Sequence, residues 1–500
     1  MRWKQIVQAG IVAVGLALQV CVAFAQNQQP LIPQLNAGPL PTGRPGPTPA
    51  FSTALTGLDV TAPNPFLGSV PSGIATMEEM PLSLTDAIQR GLRSNLGRLL
   101  SEQDTRAALG EQRQARSSLL PNVTARTAET AQQINLAEFG FSGFAGTPHS
   151  IIGPFGVFDT RVYLSQSIFD QKAISNARAG SENLKAAKYS FDNARDVVVL
   201  VVANLYLQAV AGVARIEAAQ AQLNTAQALY DQAVSFKQAG VVPAIEVLRA
   251  QVELQARQQQ LIFFQNEFEK QKLSLTRAIG LPLQQPLRLT DRIPYAPLAP
   301  MSLEEALKRA YGSRSDYQSA AASLRATEFA RKAAEAERFP SLSLDTDYGD
   351  LGKRPGSSHG TFTAAASLRV PLYQGGRIQG EILQSDALLR QQRAVLEDLR
   401  SRIEYEIRTV FLDLKASGDR VEVARSALQL AQQQVEQAQD RFAAGVTGNI
   451  EVVQAQEALS TANENYIAST FDYNIAKTAL ARALGGAEKT YQQFLLGETQ

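Results

Sequence analysis

The chain repeats itself once, and this internal duplication constrains its fold more than any other feature. Gly240 matches Gly445 at an offset of 205 residues. The same offset pairs Arg215 with Arg420, Glu217 with Glu422, Glu246-Val247 with Glu451-Val452, and 278–280 with 483–485. Upstream, Pro121 matches Pro340 at an offset of 219 residues, so the first copy carries 14 extra residues between its proline and its long helix. One register kept over so many positions predicts two tandem copies of one structural unit.

Each copy begins with a helix, over about 84–119 and 303–338, and changes to strand at Pro121 or Pro340. Apolar and polar residues then alternate over about ten positions, which is typical of a transmembrane β-strand. A half-buried sheet in a soluble protein gives the same pattern. The residues expected on the mainly apolar face of the strands are Phe158, Thr160, Val162, Leu164 and Ile168 in the first copy, and Leu342, Leu344, Thr346, Tyr348, Phe362, Ala364, Ala366, Leu368, Val370 and Leu372 in the second. We expect loops between the paired strands over about 135–155 and 350–359.

A very long helix follows the second strand of each copy. No proline occurs between Pro154 and Pro243 or after Leu372. A helix over about 172–238 would be about 100 Å long at 1.5 Å per residue. The chain turns at Gly240 and at 445–448, and a shorter helix returns to Gly280 or Gly485. Alanine and glutamine are frequent in these segments, as expected for helices packed closely side by side.

The N-terminal segment predicts export from the cytoplasm. Residues 1–25 form a signal peptide with Arg2 and Lys4, an apolar stretch over 11–24 and small residues before a cleavage site after Ala25. The only cysteine, Cys21, lies inside it. After it we expect no apolar run long enough to span a bilayer as a helix. The predicted order is signal peptide 1–25, proline-rich extension 26–80, repeat one 81–292, repeat two 293–486 and C-terminal tail 487–500.

Composition argues against several function classes. The net charge is +1 and charged residues make up 19% of the chain, which gives no support for a nucleic-acid partner. The two histidines, His149 and His359, fall in the expected strand–strand loops, and no clustered ligands predict a metal. Phosphate-binding and nucleophile motifs are absent from the sequence, so we expect neither an enzyme nor a cofactor.

The strand count implies self-association. Two hairpins supply four strands per chain, and four strands cannot close, while an open edge in lipid leaves backbone groups without partners. Closed single-chain barrels begin at about eight strands. Three copies would give about twelve strands, with the charged long helices projecting into water. The expected fold is an α+β membrane protein, a trimeric 12-stranded β-barrel continued by a long α-helical barrel.

The repeated order of helix, two strands, long helix, turn and helix resembles the TolC-like family of outer-membrane efflux proteins. The two turns carry that resemblance: 239–251 and 444–456 are similar to the family signature Gly-x-x-x-x-x-Asp-Val-Leu-x-Ala. It covers about 82–485. The resemblance implies a homotrimer in outer-membrane lipid, extending into the periplasm, with an inner-membrane pump and a periplasmic adaptor (membrane fusion) protein. The residues expected to dock the adaptor are Gly240, Val241, Glu246, Val247, Leu248, Gly445, Val446, Thr447, Glu451 and Val452.

The resemblance also implies a periplasmic gate at the same tips, where acids ring a constriction. The acids correspond to Glu246 and Glu451, but the second acid one turn later is Gln454 here. Phe442 stands where family members use a tyrosine, and Thr447 replaces an arginine. We therefore expect the gate to involve Arg441, Phe442, Glu451 and Gln454, with Asp440 as another candidate. A solvated acid at a helix start, favoured by the helix dipole, explains Glu246 and Glu451 equally well.

The function expected is a passive channel for efflux of small molecules, such as drugs or toxic compounds, across the periplasm and outer membrane. Type I protein secretion is the alternative, because the family serves both. A soluble periplasmic coiled-coil scaffold would explain the helices but neither strand pair.

Overall fold

The duplication is visible in the bounds of the elements. The computed structural model describes residues 64–139, 151–292 and 295–495. Repeat one contains α1 (Leu84–Ser94), α2 (Leu96–Ser117), β2 (Asn122–Asn135), β3 (Ile151–Phe169), α3 (Gln171–Gln238) and α4 (Ala244–Ile279). Repeat two contains α5 (Leu303–Ser313), α6 (Ser315–Ala336), β5 (Ser341–Gly352), β6 (Ser358–Arg369), α7 (Arg377–Ala443) and α8 (Asn449–Leu484). Helices α1 and α2 correspond to α5 and α6 at the 219-residue offset, and α4 corresponds to α8 at the 205-residue offset.

The helix expected to open each repeat is in fact two helices. Asn95 interrupts the first and Arg314 the second, each with an extended backbone at ψ 132° and 119°. The Asn95 side chain caps α2 by accepting a hydrogen bond from the Gly97 backbone N–H at 3.0 Å. A side chain that satisfies the free N–H groups of a new helix makes such a break stable without proline or glycine. The prediction of a continuous helix was wrong in the first repeat for this reason. In the second repeat Arg314 makes no such cap, and its side chain binds Asp316 and Glu406 instead.

The four long strands form one antiparallel sheet in the order β2-β3-β5-β6. Register places Val123, Leu164, Thr346 and Ala364 side by side. Apolar residues therefore concentrate on one face and charged residues on the other, although Glu129 and Asp350 lie on the mainly apolar face. The apolar face carries Val123, Phe158, Val162, Leu164, Leu344, Tyr348, Phe362 and Leu368. The other face carries Arg126, Asp159, Arg161, Asp345, Asp347 and Arg369, with Arg161 Nη1 2.9 Å from Asp347 Oδ1. β2 and β6 each have one unpaired edge in the described part of the chain.

Two strands are longer than the sequence predicts, whereas β6 ends at Arg369, before the expected Val370 and Leu372. β3 begins at Ile151, and β5 and β6 continue to Gly352 and from Ser358, so the second loop is shorter than the expected 350–359. His359 pairs with Leu351 inside the sheet and does not lie in a loop. His149 and most of the first loop fall outside the described residues.

The helices pack as neighbouring pairs around one large apolar core. α3 packs on α4, α7 packs on α8, and α3 also contacts α8, while α2 and α6 pack on the sheet-side half of α3. The core lies midway along α3, where Val198, Val202 and Tyr206 are fully buried. Leu275 and Ile279 of repeat one and Ile403, Ile407 and Leu484 of repeat two complete it.

One expectation about apolar stretches was wrong. α3 contains an 18-residue stretch of mean hydropathy 2.2, which is long and apolar enough to cross a membrane by length and composition. More than half of that stretch is buried inside the protein. Its hydrophobicity therefore has an explanation in packing, because Val198, Val202 and Tyr206 fill the core described above.

Two terminal segments have structure that sequence reasoning did not predict. Residues 64–82 lie against repeat one: Phe66 packs on Gly97, and the Ser72 N–H donates to the Gly280 carbonyl at 3.0 Å. β1 (Met80–Leu82) then pairs in parallel with β4 (Leu287–Leu289). In the expected tail, α9 (Ala487–Leu495) packs on α3 and α8. The buried Asp196 carboxylate accepts hydrogen bonds from the N–H groups of Gly486 and Glu488 at the start of α9.

Candidate functional site at the helix tips

Both long helices end in the same glycine turn. Gly240 has φ +74° and Gly445 has φ +69°, the left-handed conformation that favours glycine. The N–H of Val241 donates to the Phe236 carbonyl at 2.9 Å, and the N–H of Val446 donates to the Arg441 carbonyl at 3.0 Å. This is the Schellman arrangement, in which the last free carbonyls of a helix are satisfied by the residues after the turn. No atom lies within 4 Å of the position where a Cβ would stand on either glycine.

The turns present apolar side chains to solvent. Val241 and Val446 are 64% and 70% exposed, and Leu248 is 56% exposed. Val247 is half-buried. Sequence reasoning missed Ile245, Val252 and Ile450, which are also exposed. The spacing of 245, 248 and 252 places them on one helix face, and this pattern was the available signal.

Two predicted site residues lie in the interior. Phe442 is 3% exposed and Val452 is fully buried. They form a small apolar cluster with Leu229, Val435, Ala438 and Ala455, against which Phe236 and Leu459 pack. The Phe236 and Phe442 ring centroids are 5.8 Å apart, so α3 meets α7 at this cluster. Both side chains therefore help to hold the two tips together. The docking role of Val452 and the gate role of Phe442 stay predictions.

The tip acids differ between the repeats. Glu246 is mostly buried and binds Arg249 at 2.7 Å, and its Oε2 is buried without a hydrogen-bond partner in the described residues. Glu451 is partly exposed and pairs with Arg441 at 3.1 Å. Gln454 is exposed. The structure therefore brings Arg441 and Glu451 together and leaves Gln454 facing solvent nearby.

The hydroxyl group of Thr447 is used for a local hydrogen bond. Thr447 is half-buried, and its hydroxyl donates to the Gly448 carbonyl at 3.0 Å. Within 64–139, 151–292 and 295–495, no three His, Cys, Asp or Glu side chains gather as metal ligands would. The tips thus combine open glycines, exposed aliphatic groups and one partly exposed ion pair, which is chemistry suited to contact with another protein.

The fold is that of outer-membrane channels. The structure of VceC from Vibrio cholerae aligns with a TM-score of 0.69 and 19% sequence identity, covering 81% of this chain and 96% of that chain. The CmeC outer membrane channel of Campylobacter jejuni aligns with a TM-score of 0.70 and 17% identity, covering 89% of this chain and 98% of that one.

The sequence narrows this class to one family. Residues 99–281 and 306–486 match the family described as Outer membrane efflux protein, and the chain belongs to that family. The Pyoverdine export outer membrane protein OpmQ of Pseudomonas aeruginosa is 26% identical over 415 residues, 79% of this chain and 85% of the relative. The Antibiotic efflux pump outer membrane protein ArpC of Pseudomonas putida is 24% identical over 81% of this chain and 83% of the relative. The Alkaline protease secretion protein AprF of Pseudomonas aeruginosa is 24% identical over 67% of this chain and 72% of the relative. The resemblance to TolC-like proteins is thereby confirmed.

Proposed function

We propose that three copies of this chain form the outer-membrane channel of a tripartite export system. The observation that carries the proposal is the four-stranded sheet with one apolar face, one polar face and an unpaired edge on both β2 and β6. β6 and β2 run in opposite directions, so β6 of one copy can pair antiparallel with β2 of the next. Twelve strands would then close around the polar face, and no backbone edge would remain in lipid.

Exposed apolar residues mark the periplasmic boundary of this barrel. They occur where strands join helices: Leu372 and Tyr373 are 93% and 88% exposed, and Leu120, Phe169 and Phe339 are about half exposed. Aromatic and aliphatic side chains at such a level are favourable in the lipid headgroup region. Their position supports lipid around the sheet and water around the long helices.

The tips are the proposed docking site for a periplasmic adaptor supplied with energy by an inner-membrane pump. Open glycines allow a partner's backbone to approach, and Val241, Leu248 and Val446 supply apolar contact area. Arg441 and Glu451 are the proposed residues of the gate, and Gln454 takes the place of the second acid.

The proposed cargo is small molecules. OpmQ and ArpC, whose names refer to pyoverdine export and antibiotic efflux, align with more of this chain than AprF, whose name refers to protease secretion. Protein secretion remains the second candidate because AprF is itself similar to this chain. Deleting the gene and comparing sensitivity to toxic compounds with the secreted proteome separates the two. A lost secreted protein with unchanged sensitivity would favour secretion.

The channel itself is tested with purified protein. Light scattering of the detergent-solubilised chain should give the mass of three copies, and insertion into planar bilayers should give stepwise conductance. A monomer without conductance would contradict the proposal.

Docking is tested by placing a large charge at the open glycines. Gly240→Arg or Gly445→Arg should abolish export while the protein still inserts and forms trimers. Gly240→Ala and Gly445→Ala are the matched controls, because they introduce the same backbone strain without bulk, and they should export normally. Leu248→Asp, on an exposed helix face, should also reduce export. Normal export by both arginine variants would remove the docking proposal.

A further inference from the structure

In the tip-side half, the largest contacts join α4 with α3, α3 with α8 and α8 with α7. Smaller contacts join α4 with α8, and α3 with α7 at the Phe236–Phe442 cluster. α3 is covered on both flanks, by its own return helix α4 and by α8 of the other repeat. In the described residues, the outer flank of α4 and the outer flank of α7 have no neighbour there. The junction between α3 and α8 therefore occurs once inside the chain, and its counterpart between α7 and α4 is left open.

The open flank of α7 carries a row of large apolar side chains. Tyr405, Leu412, Val423 and Leu430 are 63–70% exposed. Separations of 7 and 11 residues are close to whole helical turns, so the four lie on one face. On α4, Ile262, Phe263 and Leu273 are about half exposed or more. Rows of large exposed apolar side chains on a helix often mark a contact with another protein surface.

The internal junction predicts which residues meet at the open one. At the junction of α3 and α8, the Thr478 hydroxyl is 2.9 Å from Asn204 Oδ1, and the Arg482 guanidinium donates to Asn193 Oδ1 at 2.6 Å. The 205-residue offset takes Asn204 and Thr478 to Thr409 and Leu273. It takes Asn193 and Arg482 to Asp398 and Arg277.

In the pair Asp398 and Arg277, the amide of Asn193 is replaced by a carboxylate, while the arginine is kept. Asp398 and Arg277 are both exposed, and neither forms an ion pair within 64–139, 151–292 and 295–495. The other polar contact of the internal junction, Arg215 with Glu464 at 2.9 Å, corresponds to Arg420 and Gln259. The internal junction thus has its ion pair towards the tips, between Arg215 and Glu464. The junction between copies would have its ion pair at the end of α4 near the core, between Asp398 and Arg277.

We propose that Asp398 on α7 of one copy pairs with Arg277 on α4 of the next, with Thr409 and Leu273 in contact beside this pair. The proposal rests on the trimer of the proposed function and identifies its contact surface. The contact is heterologous, since different faces of the two copies meet, and such contacts close into a ring when the rotation fits. Two repeats in each of three copies would then give six equivalent junctions around the wall.

Cysteine cross-linking tests the contact directly. The only native cysteine is Cys21, in the predicted signal peptide. A short bismaleimide should join Leu273→Cys and Thr409→Cys between chains and give dimer and trimer bands on denaturing gels. The matched internal pair, Asn204→Cys with Thr478→Cys, should cross-link within one chain and leave its mass unchanged. Co-expressed single-cysteine chains should give dimers and never trimers.

Charge reversal tests the ion pair. Asp398→Arg and Arg277→Asp should each lower trimer yield about tenfold through like-charge contact, and the double variant should recover most of it. A native trimer without the inter-chain cross-link, or a double variant no better than the single ones, would overturn the inference and leave the proposed function standing. A native monomer would overturn both.

Discussion

The two repeats have helices of matching length but stabilise equivalent positions with different chemistry. At the break before α2, the buried Asn95 amide donates to the carbonyls of Phe66 and Ala278. At the equivalent break before α6, Arg314 is equally buried and binds Asp316 and Glu406, with 2.6 Å contacts to both. The extension 64–82 covers the first break, whereas charged groups of α6 and α7 cover the second. The two repeats therefore keep the helix break at the same position. The side chain that stabilises the break differs according to which segment packs against it.

The largest loss of stability should come from replacing Arg314, the charged residue at the second break. Arg314→Ala leaves Asp316 without its main partner, and losing one member of a buried pair reduces stability by about 3–5 kcal/mol. Burial favours a raised pKa for Asp316, but the hydrogen bonds and charge of Arg314 outweigh it and lower that pKa to about 2. The stabilisation is therefore present above pH 4 and is lost as the pH falls towards 2.

Asn95→Ala is the counterpart, with an expected loss of about 1–3 kcal/mol and no such acid dependence. Melting temperatures of both detergent-solubilised variants between pH 2.5 and 7 give the comparison. Equal losses would show that the two breaks do not differ energetically.

A second difference lies in two equivalent lysines. Lys272 is half-buried over the Phe268 ring and pairs with Glu269, whereas Lys477 is 2% exposed over Tyr473 and donates to the Ala296 carbonyl. Burial lowers the pKa of Lys477 to about 8, below its value in the unfolded chain. The unfolded chain binds the extra proton between pH 8 and about 10.5, so stability should rise by roughly 3 kcal/mol across that range.

Lys477→Met should remove this rise and stabilise the protein at pH 7, whereas Lys272→Met should do neither. Thermal unfolding at pH 7 and pH 9.5 measures both variants. A pH profile unchanged by Lys477→Met would exclude the buried lysine as its source.

At the tips, alanine substitution should affect both repeats alike. Gly240→Ala and Gly445→Ala each force a side chain into the left-handed conformation, and each should reduce stability by about 1 kcal/mol because no neighbouring atom obstructs the new methyl group. A much larger loss at one tip, measured by thermal unfolding, would reveal a contact made only in the assembled channel.

The smallest effect should distinguish the tip acids. The partly exposed pair of Arg441 and Glu451 should contribute under about 1 kcal/mol, so Glu451→Gln should leave assembly intact. If Glu451 lies at a constriction, its loss should weaken block of the conductance by divalent cations. Glu246→Gln should not, because Glu246 is mostly buried against Arg249. Identical block in both variants would argue against an acid ring.

The architecture could be predicted because the same sequence signals occur in both copies of the repeat. Proline-free segments and the 205-residue offset predicted α3, α7 and their return helices to within a few residues, and alternation predicted the strands. The breaks at Asn95 and Arg314 were missed because neither position is a proline or glycine. Each break also depends partly on a side-chain contact with a residue far away in the sequence, Ala278 for Asn95 and Glu406 for Arg314. Among the site residues, correspondence with a family predicted the position of Phe442 but not its burial, which depends on Phe236, more than 200 residues earlier.

The contact between Asp196 and α9 has a consequence for how the chain is completed. Asp196 lies near the middle of α3, yet its carboxylate receives N–H groups from residues about 290 positions later. Gly486 and Glu488 therefore supply the backbone donors for this acid, whose pKa is raised by burial. A chain that lacks α9 would lose both donors to Asp196 and also the apolar side chains that α9 adds to the main core, namely Ala487, Tyr491, Phe494 and Leu495. The core of the first repeat is therefore complete only when a segment that follows the second repeat has packed against it.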